Sequence, residues 1–119
     1  MRKILAIDDQ PEITTIIADF LGDNYEVYPA KSTIKAFSLL HTTKFDLILL
    51  DILMPGMNGM EFLKYIKKQF WYDNTPVIFV SSESDFNTVA QAANLGANGY
   101  IKKPIEKNVL LKKVQEALG

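Results

Sequence analysis

The sequence predicts an α/β fold in which a five-stranded parallel sheet is covered by helices on both faces. Three runs of consecutive aliphatic or aromatic residues support this prediction, at residues 4–7, 47–50 and 77–80. Unbroken apolar runs are typical of strands that are buried on both faces, as in a parallel sheet. Segments with helical periodicity separate the runs, and weaker strands are predicted at residues 25–28 and 99–101. Strand and helix therefore alternate five times, which favours right-handed crossovers within one sheet.

The helices between the strands have recognisable first turns. Proline is favoured in the first turn of a helix, and serine, asparagine and aspartate are favoured as the capping residue before it. Residues of these types stand at the start of four predicted helices: Pro11, Ser32, Asn58 and Asp85. The third helix should carry an apolar face that includes Phe70, and the fifth should begin near Glu106. The fourth should end near Gly96 after an apolar set made of Phe86, Val89, Ala90 and Ala93.

Composition and charge restrict the classes of function. At 119 residues the chain can bury a single core, and we expect one domain over residues 1–119. A net charge of −1 argues against a direct nucleic-acid partner and against a membrane surface. The sequence has no cysteine, no signal peptide and no apolar stretch long enough for a membrane helix, so we expect a cytoplasmic protein.

Polar residues directly follow the strongest predicted strands. They are Asp8 and Asp9 after the first strand, Asp51 after the third, Ser81 and Ser82 after the fourth, and Lys102, Lys103 and Pro104 after the fifth. If the strands are parallel, these residues share the sheet edge at which ligands bind in folds of this class. Taken singly, each has an ordinary interpretation as a helix cap, a turn residue or a solvated side chain.

The three aspartates do not fit the ordinary interpretation when they are taken together. Carboxylates crowded at one edge repel one another and raise one another's pKa unless a cation intervenes. Ligation by oxygen atoms alone suits Mg²⁺, with Mn²⁺ as an alternative ion, and Mg²⁺ is normally completed by phosphate oxygens. A carboxylate such as Asp51 can attack phosphorus without a general base, while a lysine and a hydroxyl group neutralise charge. The pattern therefore indicates phosphoryl transfer.

Five short motifs occur in order along the chain: IDD at residues 7–9, LLDILMPGMNG around Asp51, VSS ending at Ser82, LGANGY ending at Tyr100, and KKP at residues 102–104. With this set and its spacings, the sequence resembles the response-regulator receiver domain of two-component signalling over essentially its whole length. The resemblance implies a doubly wound, flavodoxin-like fold with strand order 2-1-3-4-5. It also implies a signalling switch that catalyses only its own phosphorylation and dephosphorylation and is not otherwise an enzyme.

The resemblance implies roles for the acidic residues and their neighbours. Asp51 would be the phosphoacceptor and would receive a phosphoryl group from a sensor histidine kinase or a histidine phosphotransfer protein. Asp8 and Asp9 would hold Mg²⁺ together with Asp51, Asp9 being the more direct ligand. The backbone carbonyl of Leu53 would complete the ligands from the protein. The side chains of Leu53 and Glu83 would flank the phosphoryl group and influence its hydrolysis.

The resemblance also implies how the phosphoryl group is sensed. Lys103 would pair with the phosphoryl group, and the peptide bond between Lys103 and Pro104 would be cis. Ser81 would move to donate a hydrogen bond to a phosphoryl oxygen, and Tyr100 would swing inward behind it. An unknown output protein would bind the face formed by the fourth helix, the fifth strand and the fifth helix.

Four further residues indicate what kind of receiver domain the sequence resembles and where its other parts should lie: His41, Trp71, Asn98 and Gly99. His41 falls at the end of the second helix, where a cation is favoured, so the donor histidine should lie on a partner. Trp71 is expected in the loop between the third helix and the fourth strand, at the edge away from the metal. The pair Asn98 and Gly99 replaces the acidic pair of many DNA-binding regulators, which argues against a charged receiver dimer of that type.

Two questions stay open from the sequence. Because the chain stops after the fifth helix, we expect either a stand-alone receiver, as in chemotaxis or phosphorelays, or the first part of a longer regulator. The alternative function is a receiver-like interaction module that does not turn over phosphate. Retention of Asp9, Asp51, Ser81 and Lys103 argues against that alternative.

Overall fold

Strands and helices alternate along the chain, as predicted. The computed structural model describes residues 1–69, 72 and 74–119. Its elements are β1 (Lys3–Ile7), α1 (Pro11–Leu21), β2 (Glu26–Ala30), α2 (Thr33–Thr42), β3 (Leu47–Leu50), α3 (Gly59–Lys68), β4 (Val77–Ser81), α4 (Phe86–Asn94), β5 (Gly99–Lys102) and α5 (Lys107–Leu118). All strand pairs are parallel, and the strand order is β2-β1-β3-β4-β5. The predicted fold class and strand order are confirmed.

The sheet separates two apolar cores. Successive side chains of a strand point to opposite faces, so the fully buried strand β3 contributes to both cores. Ile48 and Leu50 pack with apolar residues of α2 and α3 on one face. Leu47 and Leu49 pack with apolar residues of α1 and α5 on the other. Packing on both faces holds the end of β3 in a fixed position between its neighbours.

Three helices begin at the caps that the sequence predicts. The side chains of Ser32, Asn58 and Asp85 each accept a hydrogen bond from the backbone N–H three residues later, at 3.1, 3.0 and 2.7 Å. Asp85 also accepts a hydrogen bond from the Thr88 hydroxyl at 3.0 Å. The two bonds from Thr88 lower the pKa of Asp85 below its ordinary value. These caps fix the starts of α2, α3 and α4 close to the sheet edge at which the preceding strands end.

The position of β2 differs from the prediction. The sequence predicts residues 25–28, whereas β2 spans Glu26–Ala30 and contains Pro29. Among the described residues this strand pairs with β1 alone, so its other side is an open edge of the sheet. The carbonyl of Ala30 accepts a hydrogen bond from the backbone N–H of Asp8, and adjacent residues of a strand direct their backbone groups to opposite sides. The nitrogen of Pro29 therefore faces the open edge, where a strand tolerates proline.

The buried face of α4 also differs from the predicted one. Phe86 is 85 % exposed and Ala93 is exposed as well, although both belong to the predicted apolar set. The helix instead places Ala92 in the core, with half-buried Thr88 and Leu95 on the same face. Small residues are frequent in α4, so its apolar pattern does not single out one face.

Two predictions fall outside the described residues. They concern the position of Phe70 on the apolar face of the third helix and the position of Trp71 in the loop that follows; α3 ends at Lys68. Within the described ranges, no helix combines the length and the apolar character that are needed to cross a lipid bilayer.

Candidate functional site

Asp51 follows the last residue of β3, at the edge where the parallel strands end. Its backbone N–H donates to the carbonyl of Ile7 at 3.0 Å, which extends the pairing of β1 and β3 by one residue. Asp51 is 5 % exposed. Burial disfavours a charged carboxylate, and the neighbouring carboxylate of Asp8 adds repulsion. Both effects raise the pKa of Asp51 above its ordinary value, while Lys103 acts in the opposite direction.

The three aspartates lie together, as the positions of the strand ends predict. One carboxylate oxygen from each of Asp8, Asp9 and Asp51 lies within 4.8 Å of those of the other two. Asp8 is buried and Asp9 is exposed, so the cluster opens to solvent on the side of Asp9. Asp8 Oδ1 accepts a hydrogen bond from the backbone N–H of Gln10 at 2.9 Å. The other oxygen, Asp8 Oδ2, is buried and accepts no hydrogen bond from the part of the chain that the structure describes.

Lys103 brings a positive charge to the acidic cluster from the end of β5. Its Nζ lies 2.8 Å from Asp8 Oδ2 and 3.4 Å from Asp51 Oδ2. The Lys103 ammonium also donates to Gln10 Oε1 at 3.2 Å. The peptide bond between Lys103 and Pro104 is cis, in agreement with the expectation from the resemblance. The cluster thus contains three carboxylates and one ammonium group.

Ser81 and Tyr100 lie on neighbouring strands and are connected through Glu83. Ser81 is fully buried at the end of β4, and its hydroxyl oxygen accepts a hydrogen bond from the backbone N–H of Glu83 at 3.2 Å. The Tyr100 hydroxyl donates to the backbone carbonyl of Glu83, and its ring packs against Phe79 with the centroids 6.1 Å apart. Burial raises the pKa of Tyr100, and a hydrogen bond with the Ser81 side chain partly opposes this rise.

Leu53 and Glu83 lie in the loops that follow β3 and β4. Leu53 comes two residues after Asp51 and is 56 % exposed, whereas Glu83 comes two residues after Ser81 and is half-buried. Both loops begin at the edge that carries the aspartates, so these two residues belong to the loops around the acidic cluster.

His41 lies at the opposite edge of the sheet from the acidic cluster. It occupies the last turn of α2, a helix that begins at the edge where β2 ends. The imidazole Nδ1 lies 2.6 Å from the backbone carbonyl oxygen of Phe37. A carbonyl oxygen only accepts, so Nδ1 carries the hydrogen of this bond.

Gly59, the first residue of α3, is not among the predicted site residues, but it lies against the backbone of Asp51. A Cβ atom at this position would collide with the backbone carbonyl oxygen of Asp51 and would lie 2.8 Å from the Cα of Ile52. The N–H of Gly59 donates to the Ile52 carbonyl at 2.6 Å. The start of α3 therefore packs directly against the backbone of Asp51. A glycine immediately after a helix cap was a usable signal, because glycine lowers helix stability and so indicates a close approach.

Comparison with known proteins identifies the family. The family model described as the response regulator receiver domain matches residues 4–115. This chain belongs to the response-regulator receiver family. Receiver domains of two-component systems are generally signalling switches and not enzymes, and they interact with histidine kinases and with output proteins.

The relatives of this receiver domain differ in length. The transcriptional regulatory protein CrdR of Helicobacter pylori is 37 % identical over 92 % of this chain and 51 % of its own length. The regulatory protein VanRB of Enterococcus faecalis is 31 % identical over 98 % of this chain and 52 % of its own length. The receiver thus spans about half the length of these two relatives. The chemotaxis protein CheY of Pseudomonas aeruginosa is 32 % identical, and the match covers 96 % of this chain and 94 % of that protein.

Solved structures give the same fold. The chemotaxis protein CheY4 of Vibrio cholerae aligns over 99 % of each chain with a TM-score of 0.93 and 34 % identity. A CheY-like receiver domain protein of Methanospirillum hungatei aligns over 99 % of this chain and 94 % of its own, with a TM-score of 0.90 and 29 % identity. The receiver therefore shares its whole architecture with these proteins.

Proposed function

We propose that this receiver, taken as one domain over residues 1–119, is a signalling switch that is activated by phosphorylation of Asp51. The observation that carries the proposal is the position of the Asp51 carboxylate between the acidic pair, Asp8 and Asp9, and the ammonium of Lys103. A carboxylate acts as a nucleophile toward phosphorus without a general base. Phosphoryl transfer then depends mainly on positioning and on neutralisation of charge, and this edge of the sheet provides groups for both.

The acidic cluster has a donor set that fits Mg²⁺. Three carboxylates against one ammonium leave an excess of two negative charges, which one divalent cation balances. The buried oxygen Asp8 Oδ2 forms an ion pair with Lys103 but accepts no hydrogen bond within the described chain, so it is a suitable oxygen donor for such an ion. Asp8, Asp9 and Asp51 would hold the ion, and the resemblance adds the backbone carbonyl of Leu53. When bound, Mg²⁺ supplies positive charge beside the phosphoryl oxygens.

The phosphodonor would be a phosphohistidine on a sensor kinase or on a phosphotransfer protein. An oxygen of the Asp51 carboxylate forms a bond to phosphorus, the bond from phosphorus to the imidazole nitrogen breaks, and its electron pair leaves with the imidazole. The Lys103 ammonium, 3.4 Å from Asp51 Oδ2 before the reaction, pairs with the charge of the phosphoryl group. Hydrolysis transfers the phosphoryl group to water, which releases inorganic phosphate and returns Asp51 to the carboxylate.

Ser81 and Tyr100 would sense the phosphoryl group. A hydroxyl both accepts and donates, so Ser81 can donate to a phosphoryl oxygen. Ser81 now accepts a hydrogen bond from the N–H of Glu83, and Tyr100 donates one to the Glu83 carbonyl. Both side chains are therefore bonded to the same backbone segment. A shift of that segment would alter the surface of α4, β5 and α5, which carries the exposed Phe86. The output protein would bind this surface.

The cellular location and the partners of the switch are inferred from its chemistry and composition. We infer a cytoplasmic protein whose partners are other proteins, with no direct nucleic-acid contact and no membrane contact. The net charge of −1 supports this inference, because nucleic acids and anionic membranes attract strongly basic surfaces.

Mass spectrometry after incubation with acetyl phosphate or phosphoramidate and Mg²⁺ tests the proposal. Wild type should gain one phosphoryl group that is labile in alkali, and chelation of the metal should prevent the gain. Asp51→Asn should stay folded and gain none at that site, whereas Asp19→Asn, at an exposed position of α1, should be labelled as wild type is.

Two outcomes would reject the proposal. One is wild-type protein that binds Mg²⁺ but acquires no phosphate from any donor, and the other is an Asp51→Asn variant that is labelled as well as wild type. In either case the receiver-like interaction module without phosphate turnover becomes the better assignment.

A further inference from the structure

Gln10 lies between β1 and α1, and its side chain reaches the Lys103 ammonium. Gln10 Oε1 accepts a hydrogen bond from Lys103 Nζ at 3.2 Å. Gln10 is also the N-cap residue of α1, a position that usually carries serine, threonine, aspartate or asparagine, whose side chains accept a hydrogen bond from the helix. The Gln10 side chain makes no such bond. Its contact with Lys103 therefore explains this residue better than helix capping does.

The three contacts of the Lys103 ammonium differ in chemical character. A lysine ammonium has three N–H donors and no acceptor. Lys103 Nζ donates hydrogen bonds to Gln10 Oε1 at 3.2 Å and to Asp51 Oδ2 at 3.4 Å, and it forms an ion pair with Asp8 Oδ2 at 2.8 Å. Gln10 supplies the uncharged acceptor. It therefore orients the ammonium without adding to the excess negative charge of the cluster.

We propose that Gln10 is a positioning residue that holds the Lys103 side chain with its ammonium beside Asp51. This inference rests on the proposed function, because the position of the Lys103 ammonium affects phosphorylation only if Lys103 pairs with the phosphoryl group. A lysine side chain has many rotamers, and the additional acceptor on Gln10 reduces the share in which the ammonium faces away from the site. Phosphoryl transfer depends on positioning, so loss of the acceptor lowers the rate of phosphorylation and leaves the fold intact.

Rates of labelling with acetyl phosphate at saturating Mg²⁺ provide the first test. Gln10→Ala removes the acceptor, and its rate at saturating donor should fall about 3- to 10-fold, as expected for one solvent-exposed hydrogen bond, with unchanged half-saturation by the donor. Gln115→Ala, at an exposed glutamine of α5, is the matched control and should behave as wild type.

Gln10→Glu tests separately the two properties of the Gln10 side chain, its hydrogen-bond acceptor and its lack of charge. The glutamate keeps an oxygen for Lys103 and adds a negative charge, so the rate at saturating donor should recover while half-saturation by the anionic donor shifts to higher concentration. A Gln10→Glu variant as slow as Gln10→Ala at saturation would show that the acceptor is not what matters.

A double-mutant cycle shows whether Gln10 acts through Lys103. In a Lys103→Ala background, Gln10→Ala should have no further effect on the labelling rate, because the group that Gln10 positions is gone. If Gln10→Ala slows labelling by the same factor with and without Lys103, the proposal is overturned.

Nitrogen-15 NMR of the lysine ammonium groups provides a measurement that does not depend on phosphate chemistry. In unphosphorylated wild type, the hydrogen-bonded Nζ of Lys103 should show slowed hydrogen exchange, which Gln10→Ala should accelerate and Gln10→Glu should not. An unchanged exchange rate in Gln10→Ala would rule out the positioning role. If wild type takes up no phosphate at all, the proposed function fails, and the NMR result still decides whether Gln10 holds Lys103.

Discussion

Lys103 Nζ lies 3.4 Å from Asp51 Oδ2, although the strands that precede these two residues are not neighbours in the sheet. Strand β4 separates β3 from β5, so the lysine side chain passes over the end of β4 to reach Asp51. A long, flexible side chain with a compact charge suits such a span. The contact connects the charge of Asp51 to the residue that directly follows β5, the strand that carries Tyr100.

The raised pKa of Asp51 predicts that Asp51→Asn is more stable than wild type at neutral pH without metal. A carboxyl group with a raised folded pKa binds protons more readily in the folded state, so stability falls as the pH rises from the unfolded value of 3.8 through the folded value. The stability difference between variant and wild type should therefore be small in acid, grow across this range and then level off.

Denaturant unfolding at a series of pH values, with a chelator present, measures this difference. Addition of Mg²⁺ should narrow it, because the ion binds the folded wild type and stabilises it. A metal-free wild type that is more stable than Asp51→Asn at pH 7 would contradict the prediction.

Lys103→Ala should bind Mg²⁺ more tightly than wild type while it supports signalling poorly. Removal of the ammonium leaves the three carboxylates without their cation, so the affinity for a divalent ion should rise roughly 3- to 10-fold. The phosphoryl group of this variant lacks its counter-ion. Calorimetric titration with Mg²⁺ measures the affinity, and Lys102→Ala, at the exposed neighbouring lysine, is the matched control. Weaker Mg²⁺ binding by Lys103→Ala would show that the lysine does not oppose the metal.

Leu53→Asn should lose its acyl phosphate faster than wild type. The exposed side chain of Leu53 can shield the phosphoryl group but cannot orient a water molecule. An asparagine at this position can orient an attacking water molecule through hydrogen bonds. The decay of labelled protein after removal of the donor gives the rate. Leu53→Ala removes the shield without adding a polar group and so separates the two effects. Equal or slower decay of Leu53→Asn would refute the prediction.

Gly59→Ala should be strongly destabilised, since its Cβ would collide with the backbone of Asp51 and Ile52. Neither partner is a flexible side chain, so the start of α3 must shift, at a cost of about 1 to 3 kcal/mol. Gly99→Ala is the matched control, because a Cβ there would lie 3.4 Å from Ile78 Cγ1, an ordinary contact. Urea unfolding should show a lower midpoint for Gly59→Ala alone, and equal midpoints would contradict the proposed collision.

The positions of the three aspartates could be predicted because they depend on the backbone alone. Asp8 and Asp51 directly follow paired parallel strands, and the register places Ile7 opposite Leu50. The strand ends therefore bring these aspartates to one edge of the sheet. The contact of Gln10 with Lys103 depends on two long side chains and on the course of two loops, and no periodicity in the sequence encodes it.

The errors in the predicted elements have a similar cause. The apolar residues of α4 are mostly small, so the sequence pattern did not identify Ala92 as the buried position. The exposure of Phe86 depends on which elements pack against the helix, and the sequence pattern does not contain that information. β2 runs past its predicted end at residue 28 and includes Pro29, a residue that cannot donate a hydrogen bond in a ladder. The strand continues through it because β2 lies at the edge of the sheet, and edge positions follow from the tertiary arrangement.

Pro29 also bears on self-association of the protein. An open sheet edge offers backbone donors and acceptors to a strand from another molecule, and such edge-to-edge pairing is a common start of aggregation. The nitrogen of Pro29 faces the open side of β2 and has no hydrogen to donate, so an incoming strand would lose a hydrogen bond within the pairing. The outer edge of β2 is therefore a poor template for intermolecular strand addition, even though no further strand of the described chain pairs with it.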